Sequence, residues 1–274
     1  MQHVVHMIEL REVTFAYAPG QPVFERFNWS VERGETWAVV GASGGGKSTL
    51  LMMLAGLRRP LAGQVLIDGQ LIVRPRPRTG LVLQDYGLLP WATVEQNVAL
   101  GLKLRNYYGP DGRHAPTDHI TRPITQQVDF WLKRLGIDAV RKRFPAQISG
   151  GQRQRAAIAR TLVLEPDVLL MDEPFAALDA VTREDLQNLT LELQREQSLT
   201  LVMVTHNIED AVFLGQRILV LGRPPHTRPL VVDNPSAGSA AWRMRPEFYE
   251  KCAEVRGALL EQEAHLDRRS DRLF

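Results

Sequence analysis

The stretch Gly41-Ala42-Ser43-Gly44-Gly45-Gly46-Lys47-Ser48-Thr49 constrains the fold more than any other part of the chain. It has the pattern of a glycine, four residues, then Gly-Lys-Ser. Glycines let the main chain turn so tightly that successive N–H groups face one anion with no side chain between. Lys47 adds a point charge suited to β- and γ-phosphates, and the Ser48 hydroxyl suits Mg²⁺. A helix starting here directs its positive end at the same anion. The flanks agree, since residues 35–40, Glu-Thr-Trp-Ala-Val-Val, read as a buried strand and residues 50–55, Leu-Leu-Met-Met-Leu-Ala, as the helix. A glycine-rich turn between strand and helix is the bland alternative, and the stretches downstream count against it.

Composition bounds the rest. A chain of 274 residues makes one large domain, with room for a subdomain or short appendage. Its 44% hydrophobic and 23% charged residues are those of a soluble globular protein. A net charge of +2 is too small for wholesale binding to nucleic acid or a membrane surface. The single cysteine, Cys252, excludes an internal disulfide and fits a reducing compartment. No apolar run is long enough to span a bilayer, and residues 1–10 lack the basic start and apolar core of a signal peptide. A cytosolic protein is expected.

Along the chain, residues 8–16 alternate as a first strand ending at Tyr17, and 27–31 form a second. Tyr17 alone is an ordinary strand-end aromatic, although its ring could stack on a base. Residues 64–69 are a strand entering a turn. Arg74, Arg76 and Arg78 alternate with prolines; three charges are few for a nucleic-acid patch, so a solvated loop is expected. Residues 80–83 are a short buried strand that delivers Gln84. Leu88-Leu89-Pro90-Trp91 sets an apolar run at a turn before an amphipathic helix over 93–104; the run packs in the core or docks a partner. Residues 105–123 are rich in turn formers and form a surface excursion, so His114 and His119 read as loop histidines rather than a metal pair. Helical spacing resumes over 124–135, with Gly136 placed to end it.

Ser149 is a good N-cap for a helix through Ala156, Ile158, Ala159 and Leu162. Gly150 and Gly151 leave the first N–H groups bare, so Ser149-Gly150-Gly151-Gln152 is a second candidate anion site; a plain capped helix has the same outline. Residues 168–173 are an apolar strand ending in Asp172 and Glu173. A strand tip beside the phosphate loop would put one carboxylate on Mg²⁺ and the next where it can activate water. Asp179 precedes a polar helix reaching about 196, and 201–206 is another buried strand ending in His206. These strands deliver chemistry at their carboxyl ends, as open parallel α/β sheets do. Past 222, residues 223–225 and 234–238 read as loop. Residues 246–262 read as a helix with Phe248, Cys252, Val255 and Leu259 on one stripe, packing on the core or, less simply, making a regulatory or dimer contact. Residues 268–274 read as frayed.

Taken in order, Tyr17, residues 41–49, Gln84, Ile148 to Gln152, Asp172-Glu173, Asp179 and His206 resemble the nucleotide-binding subunit of an ATP-binding-cassette transporter over residues 8–222. The resemblance implies an α/β P-loop NTPase fold with a mainly parallel core sheet, an antiparallel β subdomain and an inserted α-helical subdomain at about 88–164. It implies an ATPase domain over 1–222 and a C-terminal loop and helix extension over 223–274. ATP and Mg²⁺ are the implied cofactors. Tyr17 would meet the adenine, Ser48, Gln84 and Asp172 the metal, and Gln84 also the attacking water. Ser149 to Gln152 would be the signature, Glu173 the general base and Asp179 an inter-subunit contact, with His206 bridging that contact and the γ-phosphate. Ile148 stands where leucine is usual, and Asn207 where aspartate often follows the histidine. More narrowly, Leu88 to Trp91 and the run from Glu173 to Arg183 look like the importer ATPases of the nitrate, sulfonate and taurine group. The excursion at 105–123 is longer than that group usually carries.

Phosphate loop and signature lie about a hundred residues apart, and each offers a helix N-terminus to an anion. If both bind one ATP they come from different chains, in a two-fold head-to-tail pair with two nucleotides at its interface. The expected partners are a second, identical ATPase subunit and transmembrane permease subunits on the inner face of the membrane, and through them a solute-binding protein. An exporter or a nucleic-acid-associated ATPase of the same class is the alternative, although no nucleic-acid partner is expected. A GTPase would need an Asn-Lys-x-Asp motif, and none occurs.

Overall fold

The computed structural model describes residues 6–104, 123–239 and 241–270, with side chains up to residue 262 in the last stretch. The excursion, with His114 and His119, falls almost wholly outside the described residues.

A hairpin of β1 (His6–Ala18) and β2 (Gln21–Glu32) leads to β3 (Thr36–Gly41), the phosphate loop and α1 (Lys47–Leu54). Next come β4 (Ala62–Ile67), β5 (Gln70–Leu71) and β6 (Thr79–Val82). Three helices follow, α2 (Val94–Leu104), α3 (Ile124–Arg134) and α4 (Gly150–Leu162). The chain returns through β7 (Val168–Asp172), α5 (Ala180–Gln197), β8 (Thr200–Thr205), α6 (Ile208–Leu214) and β9 (Arg217–Leu221). It closes with β10 (Leu230–Asp233) and α7 (Pro246–Ser270).

Two sheets form, an antiparallel one in the order β2-β1-β4-β5 and a larger one in the order β10-β9-β3-β8-β7-β6. The larger sheet is parallel except for β10, which runs antiparallel to β9. Every residue of β3, β7 and β8 is buried, as continuous apolar runs are when helices or a second sheet cover both faces. Alternate residues face opposite ways. Trp37, Val39, Val168, Leu170, Val202 and Val204 meet α1 and the antiparallel sheet, so α1 lies between the two sheets. Ala38, Val40, Leu169, Met171, Leu201 and Met203 meet the helices on the other side. The inserted helices α2, α3 and α4 pack on one another, and α4 also touches β6.

Three features differ from the sequence expectations. Residues 230–233, in a stretch without strand signal, form the edge strand β10; at four residues with one face half-exposed, it shows no alternation to read. The segment after residue 222 packs closely on what precedes it, β10 on β9 and α7 on α6 and β9. The last helix runs on to Ser270, further than the frayed end expected from residue 268. Arg76 is not a solvated loop charge. Its guanidinium forks onto the carboxylate of Asp167, with Nη2 2.7 Å from Oδ2, and the two side chains are only 11% and 8% exposed. Asp167 sits just before β7 and its N–H donates to the Arg78 carbonyl, so the pair pins the entry to β6 against the entry to β7. Removing one member of a buried pair strands the other charge. Arg76→Ala is therefore expected to cost about 3 kcal/mol in urea unfolding of the isolated chain. A loss below about 0.5 kcal/mol, the range of surface substitutions, would contradict the buried pairing.

Candidate active site

The phosphate loop is seated by close approach. A Cβ on Gly41 would lie 2.3 Å from the Leu221 carbonyl oxygen, because β3 and β9 end side by side. Gly46 caps α1 at φ 91°, and a Cβ there would meet Val23 at 2.6 Å. With Tyr17, Val23 and residues 44–49 as walls, the loop lines a cleft of about 350 Å³. The Tyr17 ring is 63% exposed at the cleft edge; its hydroxyl is 3.0 Å from Thr49 Oγ1, and the Arg58 guanidinium lies 5.6 Å from its centroid. One ring face is thus steadied by a cation.

Lys47 is buried, and Nζ donates to the carbonyls of Gly41 at 2.8 Å and Ala42 at 3.0 Å. Burial lowers its pKa, opposed by the charges of Glu173 and Asp172. Parallel pairing of β7 with β8 sets Asp172 beside Val204, at the same end of the sheet as Gly41. There the Ser48 hydroxyl is 3.3 Å from Asp172 Oδ1. Burial raises the pKa of Asp172, partly offset by the Ser48 hydrogen bond. A hydroxyl and a carboxylate brought together are oxygen donors of the kind a hard cation takes. Among the described residues, no three His, Cys, Asp or Glu side chains converge as a metal cage. Mg²⁺ here would therefore share its shell with phosphate oxygens, which is its usual habit. Gln84 is exposed just past β6 and lines a second cleft with Leu83, Asp85 and Asp172.

Glu173 follows with φ 47°, a left-handed turn uncommon outside glycine. Its N–H donates to the Val204 carbonyl at 2.9 Å, and its Oε2 lies 2.7 Å from His206 Nδ1 and accepts from the His206 N–H at 3.3 Å. The turn thereby aims the carboxylate across the strand ends at His206, whose side chain is 64% exposed. Such strain, where surrounding structure imposes it, gathers at functional sites.

The second helix terminus stands apart. Ser149 caps α4 by accepting from the Gln152 N–H at 3.2 Å, while Gln152 Oε1 accepts from the Ser149 N–H at 3.0 Å. A serine that accepts from the helix keeps its own O–H free to donate to an anion. Residues 149–152 are absent from both clefts described above. Asp179 caps α5 by accepting from the Thr182 N–H at 3.0 Å, a bond that holds its carboxyl below the usual range. The chain therefore brings residues 41–49, Asp172, Glu173 and His206 to one end of the sheet, with Tyr17 and Gln84 at the cleft walls, but places Ser149 to Gln152 elsewhere.

The chain after Gln84 is held by α4 at residues 86–87 and by α2 at residues 89–93. Arg160 on α4 donates to the carbonyls of Tyr86, at 2.8 Å, and Gly87. The fully buried Asn97 accepts from the Leu89 N–H at 2.7 Å and donates to the carbonyls of Leu89, Ala92 and Thr93. This braced turn holds Trp91 74% exposed, which rules out the core-packing alternative for it. One neighbour of the phosphate loop escaped sequence reading: His226, whose ring reaches the Gly45 carbonyl from 181 residues away. No local pattern around Pro224-Pro225-His226 signals that contact.

Known proteins resemble this chain over most of its length. A family model described as ABC transporter matches residues 24–176. The aliphatic sulfonates import ATP-binding protein SsuB of Bacillus cereus is 39% identical over 212 residues, 77% of this chain and 78% of its own. The nitrate import ATP-binding protein NrtD of Synechocystis sp. is 37% identical over 243 residues, 86% of this chain and 87% of its own. Among solved structures, cbiO1 from Clostridium perfringens, part of the ABC transporter complex cbiONQ, superposes with TM-score 0.70 at 30% identity, covering 84% of this chain and 89% of that one. The dimeric post-hydrolysis state of the ATP-binding cassette MJ0796, bound to ADP and Pi, does so with TM-score 0.67 at 30% identity, covering 83% and 98%.

Proposed function

The chain belongs to the ABC transporter family, and from that premise we propose that it is the MgATP-hydrolysing subunit of a membrane importer, acting as a head-to-tail pair. The observation that carries this reading is the meeting of Ser48 with Asp172 and of Glu173 with His206 at one end of the parallel sheet. Residues 41–49 hold the phosphates and Tyr17 the adenine. Ser48 and Asp172, with Gln84 in the neighbouring cleft, would hold Mg²⁺, which would supply charge neutralisation to the phosphates. Glu173 takes a proton from the attacking water, and His206 keeps that carboxylate aimed while facing the γ-phosphate. Ser149, Gly150, Gly151 and Gln152 complete the site of the other subunit, and Asp179 lies at the contact between them.

Residues 1–222 act as the catalytic domain, with the helices at about 88–164 as its signature-bearing part and 223–274 as its extension. No helix of the described residues is long and apolar enough to cross a membrane. In this reading separate permease subunits supply the pore and this chain sits on their inner face. A solute-binding protein joins through them. The relatives named for aliphatic sulfonates and nitrate favour import over export and a small oxyanion as cargo. The braced turn carrying Trp91 suits docking on the permease, since exposed tryptophan is costly in water and enriched at interfaces.

Glu173→Gln should leave MgATP binding intact, lower steady-state turnover by about 100-fold or more and accumulate an ATP-bound dimer. Near-normal turnover would contradict its role. Trp91→Ala should change the stability of the isolated chain by less than about 0.5 kcal/mol while weakening pull-down of the permease and slowing transport. Normal pull-down and transport by the stable variant would end the docking proposal.

A further inference from the structure

His226 is buried, 6% exposed, and the chemistry assigned above does not use it. Its Nε2 lies 2.7 Å from the Gly45 carbonyl oxygen. A carbonyl only accepts, so Nε2 carries the proton of this bond. The ring cannot drift, because its main chain is locked to β2: the His226 N–H donates to the Val23 carbonyl and the Glu25 N–H to the His226 carbonyl, both at 2.9 Å. The Phe24 ring packs against it at 5.3 Å between centroids. Val23 and Phe24 are also the side chains on which Gly46 rests, at 2.6 and 3.3 Å from where its Cβ would be.

In a trans peptide the C=O and the following N–H point in opposite directions. Holding the Gly45 carbonyl toward His226 therefore turns the Gly46 N–H away from it, in a loop whose residues 44–49 wall the cleft. We infer that His226 is a positioning residue for nucleotide binding, whose Nε2–H fixes the Gly45–Gly46 peptide of the phosphate loop. This rests on the reading that residues 41–49 bind the phosphates of ATP. A donor supplied from beyond β9 ties the loop to the segment that closes the main sheet.

Three variants of the full chain separate hydrogen bond from packing. His226→Phe keeps a buried ring without the donor, His226→Gln places an amide N–H near the Nε2 position, and His226→Asn carries the same amide too short to reach. Equilibrium titration with a fluorescent MgATP analogue gives Kd, thermal melts report folding, and steady-state assays split KM from kcat. His226→Phe and His226→Asn are expected to raise Kd and KM by about 5- to 30-fold, within the span that leaving a buried carbonyl unpaired can produce. Their kcat at saturation should stay within about twofold of wild type, and His226→Gln should bind within about threefold of wild type. If His226→Phe does not fold, the Gln and Asn variants make the same comparison. Equal Kd for wild type, Phe and Asn, whatever the melting temperatures, would overturn the inference while leaving the nucleotide reading intact. A wild-type chain that does not bind MgATP would overturn both.

Discussion

A phosphate loop holds an anion only if its peptides cannot relax away from it, and here that rigidity comes from crowding around three glycines. Gly41 sits against the Leu221 carbonyl, Gly45 against the Gly222 carbonyl and Gly46 against Val23. A Cβ at any of these positions would come within 3 Å of another atom, so the loop is wedged between the end of β9 and the hairpin of β1 and β2. The first turn of α1 continues from it, clamped between the two sheets. Interiors packed at this density move as rigid bodies or not at all. The positions of Lys47 and Ser48 follow from that wedge, and Asp172 and Glu173 are brought to them by strand register.

The same site holds charge that burial disfavours. Burial lowers the pKa of Lys47 and raises that of Asp172, each restrained by the opposite charge of the other. The Lys47 ammonium is satisfied by loop carbonyls, and Glu173 is held in a left-handed turn by its main-chain bond to Val204 and its contact with His206. Charged and dipolar groups that are already oriented need not reorganise when an anion and a cation arrive, which is where preorganised sites obtain most of their catalytic effect. Neutralising a member of this set would ease burial and forfeit that orientation.

Much of this was legible in the sequence, for physical reasons. Fully buried parallel strands need uninterrupted apolar runs, so β3, β7 and β8 were visible together with the polar residues at their tips. The serine cap of α4 and the amphipathic stripe of α7 were readable because both are local: Ser149 bonds three residues on, and Phe248 and Val255 are buried one repeat apart. Contacts made across the fold were not. Arg76 finds Asp167, and His226 finds Gly45, through pairings that no short pattern encodes. The strand β10 is too short and too exposed to alternate. The exposure of Trp91 was undecided in the sequence, because an apolar turn looks the same whether covered or bare until Asn97 and Arg160 are seen to brace it.

A single chain supplies two helix N-termini suited to phosphate, but only one of them lines the nucleotide cleft. The account therefore stands on two copies sharing each ATP. Sedimentation velocity with MgATP tests this directly, using Lys47→Ala and Ser149→Arg chains that both carry Glu173→Gln to keep ATP bound. Each double variant alone should remain monomeric, because every site it could form is damaged. Their mixture should form dimers, since one of its two composite sites has Lys47 from one chain and Ser149 from the other, both intact. A mixture that stays monomeric with both proteins folded, or dimers formed by either variant alone, would contradict the shared-site account.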